Sequence, residues 1–374
     1  MNSLNRHGEF NAARRQWLRW SLGAGAALGA TAAGLCAPAG APMVWRERRM
    51  QGLGTHLHLQ AGYLAAGANA TGGAGVAGEA KLATALDAAV QAIRHVELQF
   101  SLFDAKSALS RLNRDGVLHQ PHPDFVRLLQ VAQRVSAQSS GQFDVTVQPL
   151  WAVWQHAKTQ GRLPTAREIN QAKARVGWQK VEVSANKIRF LQPGMGITLN
   201  GIAQGFAGDL AQAALRAHGI EHALLDTGEW LMQGQAPGGQ PWRLGLQHPR
   251  ALPAGAQAVQ PGPAASIDPQ KLLAQLTTDG RAVATSSDVN HRFGADDTHH
   301  HIVNPATGYS PRALSSVTVL AASGVMADAL TKVMFMGDVA QAMRLARRWG
   351  VDVVAVDKSG QWQASAGLHT QLQS

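Results

Sequence analysis

The chain has 374 residues, 45% hydrophobic and 16% charged, with 34 Lys and Arg against 24 Asp and Glu and a formal net charge of +10. That balance excludes a chain disordered throughout, and the length suffices for one large domain or two intimate ones around a substantial core. The positive charge favours anionic partners, but apart from Arg46, Arg48 and Arg49 the cations are scattered, and no motif interleaves them with aromatics, so nucleic acid is not an expected partner.

The first 39 residues read as an export signal. Arg14 and Arg15 in ARRQWLRW precede the weakly apolar run SLGAGAALGATAAGL, and Ala37-Pro38-Ala39 supplies a small-x-small cleavage site. A membrane span needs about twenty strongly apolar residues. This run is rich in Ala and Gly and is closed by Pro38 and Pro42, so a twin-arginine signal is expected, with one domain over 40–374; an uncleaved signal would tether the protein. Cys36, the single cysteine, lies inside the leader. The mature chain therefore has neither disulfides nor thiolate metal ligands, and its chemistry must use oxygen and nitrogen groups.

Arg49 to Ala61 reads as a strand, and AAGANATGGAGVAGEA after it as a low-complexity surface loop. From Lys81 to Phe100 the residues Leu82, Leu86, Val90, Ile93 and Val96 recur at helical spacing; Phe125, Leu128, Leu129, Ala132 and Val135 mark a second helix that stops near Gly141. VEVSANKIRF alternates around Ala185-Asn186 as a hairpin. Phe206 to His218 is helical and ends at Gly219, and ALLDT, WRLGLQH and LLAQLTT read as strands, with a Pro/Ala/Gly-rich loop from Pro249 to Pro269 between the last two. SVTVLAA is a strand and MADALTK opens a helix. Strands follow strands and helices come in groups, so the expected class is α+β, with largely antiparallel sheets and packed helices.

The densest chemistry lies between Ile197 and Gly337, in ITLNGIAQGFAGDL, ALLDTGEW, AVATSSDVNHRF, HHIVNPATGYSP and SVTVLAASGVMADALTKVMFMGD. Each block puts glycines, hydroxyls or a carboxylate at the end of an apolar stretch, where backbone can approach a phosphorylated ligand. Asp328 offers a hard oxygen suited to Mg2+, or simply an acidic residue favoured at a helix start. Lys332 lies one turn on, on the same face. Its ammonium cannot ligate a metal; it could neutralise a phosphate, pair with Asp328 or snorkel outward. His301 could be a base or a hydrogen-bonded structural histidine, and with His299 and His300 it forms a tract that no Cys/His cluster elsewhere supports as a transition-metal site. Asp144 in FDVT is a functional carboxylate or a cap, Phe103 a stacking ring or a core residue, and Thr285 and Ser286 ligand contacts or a polar strand end.

Together with FSLFDAKSALSRLN, GQFDVTVQPLW and RLGLQHP, these blocks stand in the order found in the FAD:protein FMN transferase (ApbE-like) family, which the chain resembles from about Leu53 to its last strands. The resemblance implies a single compact α+β body with a T-fold-like core and a flavin cleft. It implies Mg2+-dependent cleavage of the FAD pyrophosphate, with FMN passed to a Thr or Ser hydroxyl of a partner protein and AMP released. The partner would be an exported redox protein, a membrane or periplasmic subunit, and the enzyme would be periplasmic or attached to the outer face of the inner membrane.

By the same resemblance His301 and Asp328 take the catalytic places, and Gly201 (through its carbonyl), Asp328, Thr331 and Lys332 the metal places, the last with a side chain that cannot ligate. Leu53, Phe103, Gln142, Phe143, Asp144, Thr198, Gln204, Val283, Thr285 and Ser286 take the FAD-binding places. The chain departs from the family where Thr198 replaces an Asp, Gln204 a Lys or Glu, Thr227-Gly228-Glu229 a Gly-Gly-Asp or Gly-Gly-Asn, Asn304 an Asp and Ala306 an Arg or Gln. Two alternatives therefore stand beside an active transferase. One is a protein that binds FAD without transferring FMN; the other is a scaffold or maturation partner of an electron-transfer complex that binds neither flavin nor Mg2+.

Overall fold

The computed structural model describes residues 43–64, 73–250, 272–289, 292–294, 298–368 and 372–373. The expected export signal lies outside them, as does most of the Pro249–Pro269 segment. No helix among the described residues is long and apolar enough to cross a membrane.

Where one strand was expected over Arg49–Ala61 there are two, β1 (Met43–Gly52) and β2 (Thr55–Leu64), paired antiparallel from Met43 with Leu64 to Gly52 with Thr55. Leu53 (φ 50°) and Gly54 (φ 75°) make the turn. Positive φ at both central residues matches the right-handed twist of a hairpin, which Gly54 adopts freely and Leu53 does not. The Leu53 N–H donates to Glu97 Oε1 at 2.9 Å, which ties the turn to the first helix. That helix, α1, spans Gly73–Phe100, so the second half of the low-complexity stretch is helical rather than loop. Its apolar stripe at Leu82, Leu86, Ile93 and Val96 is fully buried, and a helix anchored this way extends backwards through weak helix formers.

The remaining elements are α2 (Ala108–Asp115), β3 (Val117–His119), α3 (Pro123–Gln138), α4 (Gln148–Thr159), α5 (Ala166–Lys173), β4 (Val181–Val183), β5 (Lys187–Phe190), α6 (Ala203–Ala217), β6 (His222–Asp226), β7 (Trp230–Gln233), β8 (Arg243–Gln247), β9 (Leu272–Thr277), β10 (Ala282–Ser287), β11 (Leu314–Ala321), α7 (Gly324–Phe335), α8 (Val339–Trp349), β12 (Asp352–Asp357), β13 (Trp362–Ala364) and β14 (Leu372–Gln373). One eight-stranded sheet runs β1-β2-β6-β7-β10-β11-β12-β13, and two three-stranded sheets run β14-β9-β8 and β3-β5-β4. Every pairing among these strands is antiparallel, as the α+β reading requires. The hairpin expected around Ala185-Asn186 is β4–β5.

The central strands read as unbroken apolar runs because both faces of the large sheet are covered. On one face Ala223, Leu225, Ala284, Val319 and Ala355 join the main core with α1, α6, α7 and α8. On the other, Leu224, Val283, Leu320 and Val354 meet Trp242, Leu244 and Leu276 of the small β14-β9-β8 sheet. The alternation decides which side chains of β10 and β11 can face the helices.

Candidate active site

Helices α6 and α7 meet backbone to backbone at their first turns. A Cβ added at Gly205 would lie 2.0 Å from the Gly324 carbonyl oxygen, and one at Gly324 would lie 2.5 Å from that of Gly205. Only glycine permits this approach. Two carboxylates then cap the starts reciprocally: Asp209 of α6 accepts the Gly324 and Val325 N–H groups at 2.6 and 2.9 Å, and Asp328 of α7 accepts the Gly205 N–H at 3.2 Å. Each lies where unpaired N–H groups and the helix dipole favour negative charge. Burial pushes the Asp209 carboxyl up, with the Val325 and Gly324 N–H groups pulling the other way.

Asp328 is fully buried. Its second oxygen, Oδ1, pairs with the Lys332 ammonium one turn on, and that ammonium also donates to the Asp328 carbonyl at 3.1 Å. The lysine stem lies across Gly201, where an added Cβ would come within 3.2 Å of Lys332 Cε. The Thr331 hydroxyl donates to the Asp328 carbonyl at 2.7 Å and shares a 2.7 Å hydrogen bond with Ser286 of β10. Gly201, Ser286, Asp328, Thr331 and Lys332 are thus brought into one cluster, with Gln204 beside it in the first turn of α6, buried against Gly228.

Other expected site residues lie elsewhere or are committed to the fold. Thr285 is turned to the opposite face of β10 from Ser286; it bonds Thr318 of β11 at 2.9 Å, and its N–H donates to the buried Glu229 at 3.1 Å. Val283 shares that face and sits in the Trp230–Trp242 core. Asp144 is the cap: its oxygens take the Thr146 N–H and hydroxyl at 2.8 and 2.6 Å and the Trp178 N–H at 3.0 Å. Burial raises its pKa against those bonds. Phe143 is core, Gln142 half-buried beside it, and Thr198 bonds the neighbouring backbone through its N–H to the Val145 carbonyl at 2.8 Å. Phe103 is 64% exposed, an aromatic ring outside the core.

The three consecutive histidines have three different surroundings. His299 packs on Trp154 with ring centroids 4.9 Å apart. His300 is fully buried, donates from Nε2 to the Pro311 carbonyl at 3.1 Å and meets Phe335, the last residue of α7, edge-on. Burial lowers its pKa to about 4, so it is neutral at physiological pH. His301 is half-buried, its ring 6.4 Å from that of His300, and this contact links it to the helix that carries Asp328.

The sequence pattern of the ApbE family matches residues 53–355. The chain belongs to the ApbE family. It is 28% identical over 273 residues to the FAD:protein FMN transferase of Vibrio cholerae, covering 71% of this chain and 76% of that one. It is 29% identical over 297 residues to that of Klebsiella pneumoniae, covering 76% and 79%. Among solved structures, the ApbE protein of Thermotoga maritima superposes with a TM-score of 0.71 at 23% identity, over 88% of this chain and 100% of that one. The flavin transferase ApbE of Vibrio cholerae does so with a TM-score of 0.69 at 22% identity, again over 88% and 100%. Both show the same fold.

Membership of the ApbE family makes the fit of Mg2+ a direct question. The expected ligand set offers one carboxylate, Asp328, and its charge is already matched by Lys332. The Thr331 hydroxyl is engaged on both sides, and the lysine stem covers Gly201. A divalent ion about 4 Å from an ammonium is opposed by about 8 kcal/mol at an effective dielectric constant of about 20. These residues do not fit Mg2+ with Lys332 in place. Among the described residues, three His, Cys, Asp or Glu side chains come close enough to share an ion at His95, His122 and Asp124, in another part of the fold.

Sequence reasoning passed over Asp209, a carboxylate that organises this ApbE-family site, and met Glu229 only as a departure from the family pattern. An acidic residue inside the otherwise apolar IAQGFAGDLAQAAL helix is the signal that marks Asp209. An open cleft of about 690 Å3 between α2, α4 and α5, reaching Asn113, His156 and Arg175, is lined by none of the expected site residues.

Proposed function

We propose that this chain transfers FMN from FAD to a Ser or Thr hydroxyl of a partner protein. As a member of the ApbE family it is a flavin transferase, and FAD is its substrate. The observation that carries the reading is the family match over residues 53–355, which spans the whole reciprocal cap and its ammonium. In the reaction the acceptor oxygen bonds to the FMN phosphorus while the bond between that phosphorus and the bridging oxygen breaks. AMP leaves with the electron pair, and the hydroxyl proton passes to a base, a role that suits His301. The Lys332 ammonium would offset part of the charge on the phosphates. The Mg2+ implied by the resemblance has no place in this reading while Lys332 holds Asp328.

Incubation with FAD and a Thr- or Ser-containing acceptor segment of a flavinylated redox protein tests the proposal. The expected outcome is an acceptor heavier by one FMN unit, with one AMP released for each acceptor modified. FAD bound without AMP release would establish the second reading, a flavin-binding protein, which the ammonium on Asp328 favours. Export is a separate part of the proposal, supported by Arg14 and Arg15 ahead of the weakly apolar run. Replacing both with Lys should leave the chain in the cytoplasm, and unchanged export would refute a twin-arginine route. The acceptor would then be a periplasmic or membrane redox subunit.

A further inference from the structure

We infer that Lys332 is the resident cation of this site, and that the chain binds FAD without a divalent metal. The inference rests on the flavin reading above and concerns how that site handles phosphate charge. Cleaving a pyrophosphate requires a cation or donor beside the phosphates, commonly supplied by a metal ion or by Lys and Arg side chains. Here the carboxylate that could recruit a metal is wholly buried with both oxygens engaged: Gly205 N–H holds one and the Lys332 ammonium the other. The ammonium has three N–H groups, and its two bonds are both to Asp328, one through the side chain and one through the carbonyl. The Lys332 side chain keeps 20% of its surface exposed, and one N–H of its ammonium is left for an anion.

The buried neighbours fix this arrangement. The Gly205–Gly324 contact sets the height of α7 on α6, the Thr331–Ser286 bond sets its rotation, and Gly201 leaves room for the lysine stem. A Thr at 332 would vacate that space and leave Asp328 with an unmatched charge, which is the condition that recruits a hard cation. The lysine therefore exchanges a diffusible ion for a tethered one.

Equilibrium binding of FAD to the full chain, read by flavin fluorescence in EDTA and in MgCl2, tests this, alongside calorimetric titration of the protein with MgCl2 alone. The parent should bind FAD with the same affinity in both buffers and give no Mg2+ heat. Lys332→Thr should bind FAD at least about tenfold more tightly with Mg2+ than with EDTA, and should take up Mg2+ by itself. Parent binding that falls about tenfold in EDTA, or that needs Mg2+ outright, overturns the inference and leaves the flavin reading intact. Absence of FAD binding by the parent in both buffers overturns the flavin reading and this inference with it. The parent comparison needs no substitution, so a variant that fails to fold does not remove the test.

Discussion

Two aspartates, Asp328 fully buried and Asp209 half-buried, perform the same structural task at opposite sides of one helix crossing, and only one of them keeps a cation. Asp209 gives both oxygens to N–H groups of the α7 start. Asp328 gives one to the α6 start and the other to Lys332. The α6 and α7 backbones cross at Gly205 and Gly324. The difference shows that a carboxylate at a helix start is not itself a phosphate or metal site. What distinguishes the second is the ammonium one turn further along the same helix face.

Removing each carboxylate should separate the two roles most widely. Asp328→Ala strands a partly buried ammonium and an N–H group, and truncating one partner of a buried ion pair costs about 3–5 kcal/mol. Asp209→Ala removes a cap alone and should cost about 1–2 kcal/mol. Urea unfolding of both variants measures the gap, and FAD binding should be lost with Asp328 and kept with Asp209. Equal stability losses with equal flavin affinity would mean that the two caps are interchangeable and that the ammonium does nothing special.

Gly205→Ala attacks what the caps share. Its methyl group would meet a backbone carbonyl at 2.0 Å, which no rotamer change relieves. Overpacking of this kind costs about 3 kcal/mol. Both aspartates should be displaced together, so thermal stability and FAD affinity should fall in the same variant. A neutral Gly205→Ala would show that the helices can slide apart without consequence.

Little of this crossing was legible in the sequence, although its ingredients were. The glycines and Asp328 fell in recognisable blocks, and strands such as ALLDT and SVTVLAA were readable because apolar runs of that length fit a sheet covered on both faces. Asp209 escaped because a cap across 115 residues of sequence leaves no local pattern. Thr285 and Ser286 could have been separated at once, since neighbours in a strand face opposite sides. The start of α1 at Gly73 was hidden because Ala/Gly composition suggests a loop, whereas packing further along decides the helix.

The far end of α7 gives a pH-dependent contrast with its capped start. Phe335 there packs on His300, whose folded pKa of about 4 lies below the ordinary value of 6.5. The unfolded chain therefore binds the proton first, so the stability is complete above about pH 6.5 and is lost as the pH falls towards 4, by roughly 2–3 kcal/mol. His300→Gln should flatten that part of the curve of melting temperature against pH. A variant that follows the parent throughout would assign the acid sensitivity to other groups.

The smallest effect on stability should come from a residue that belongs to neither cap. Phe100 and Phe103 flank the end of α1, but Phe100 is 5% exposed and packs on Phe125 with ring centroids 5.0 Å apart, whereas Phe103 is 64% exposed. Truncating the first to Ala should cost about 3–5 kcal/mol, and truncating the second less than about 0.5 kcal/mol, because most of its surface is already exposed. If Phe103 stacks on the flavin ring, its loss instead appears in binding, where an aromatic pair contributes about 1 kcal/mol, or roughly fivefold in affinity. FAD titration of Phe103→Ala and Phe103→Tyr separates stacking from mere exposure: Tyr should retain the parent affinity and Ala should not. Equal affinity in all three would place the flavin ring elsewhere, while leaving the phosphate end of the site at Asp328 and Lys332 unaffected.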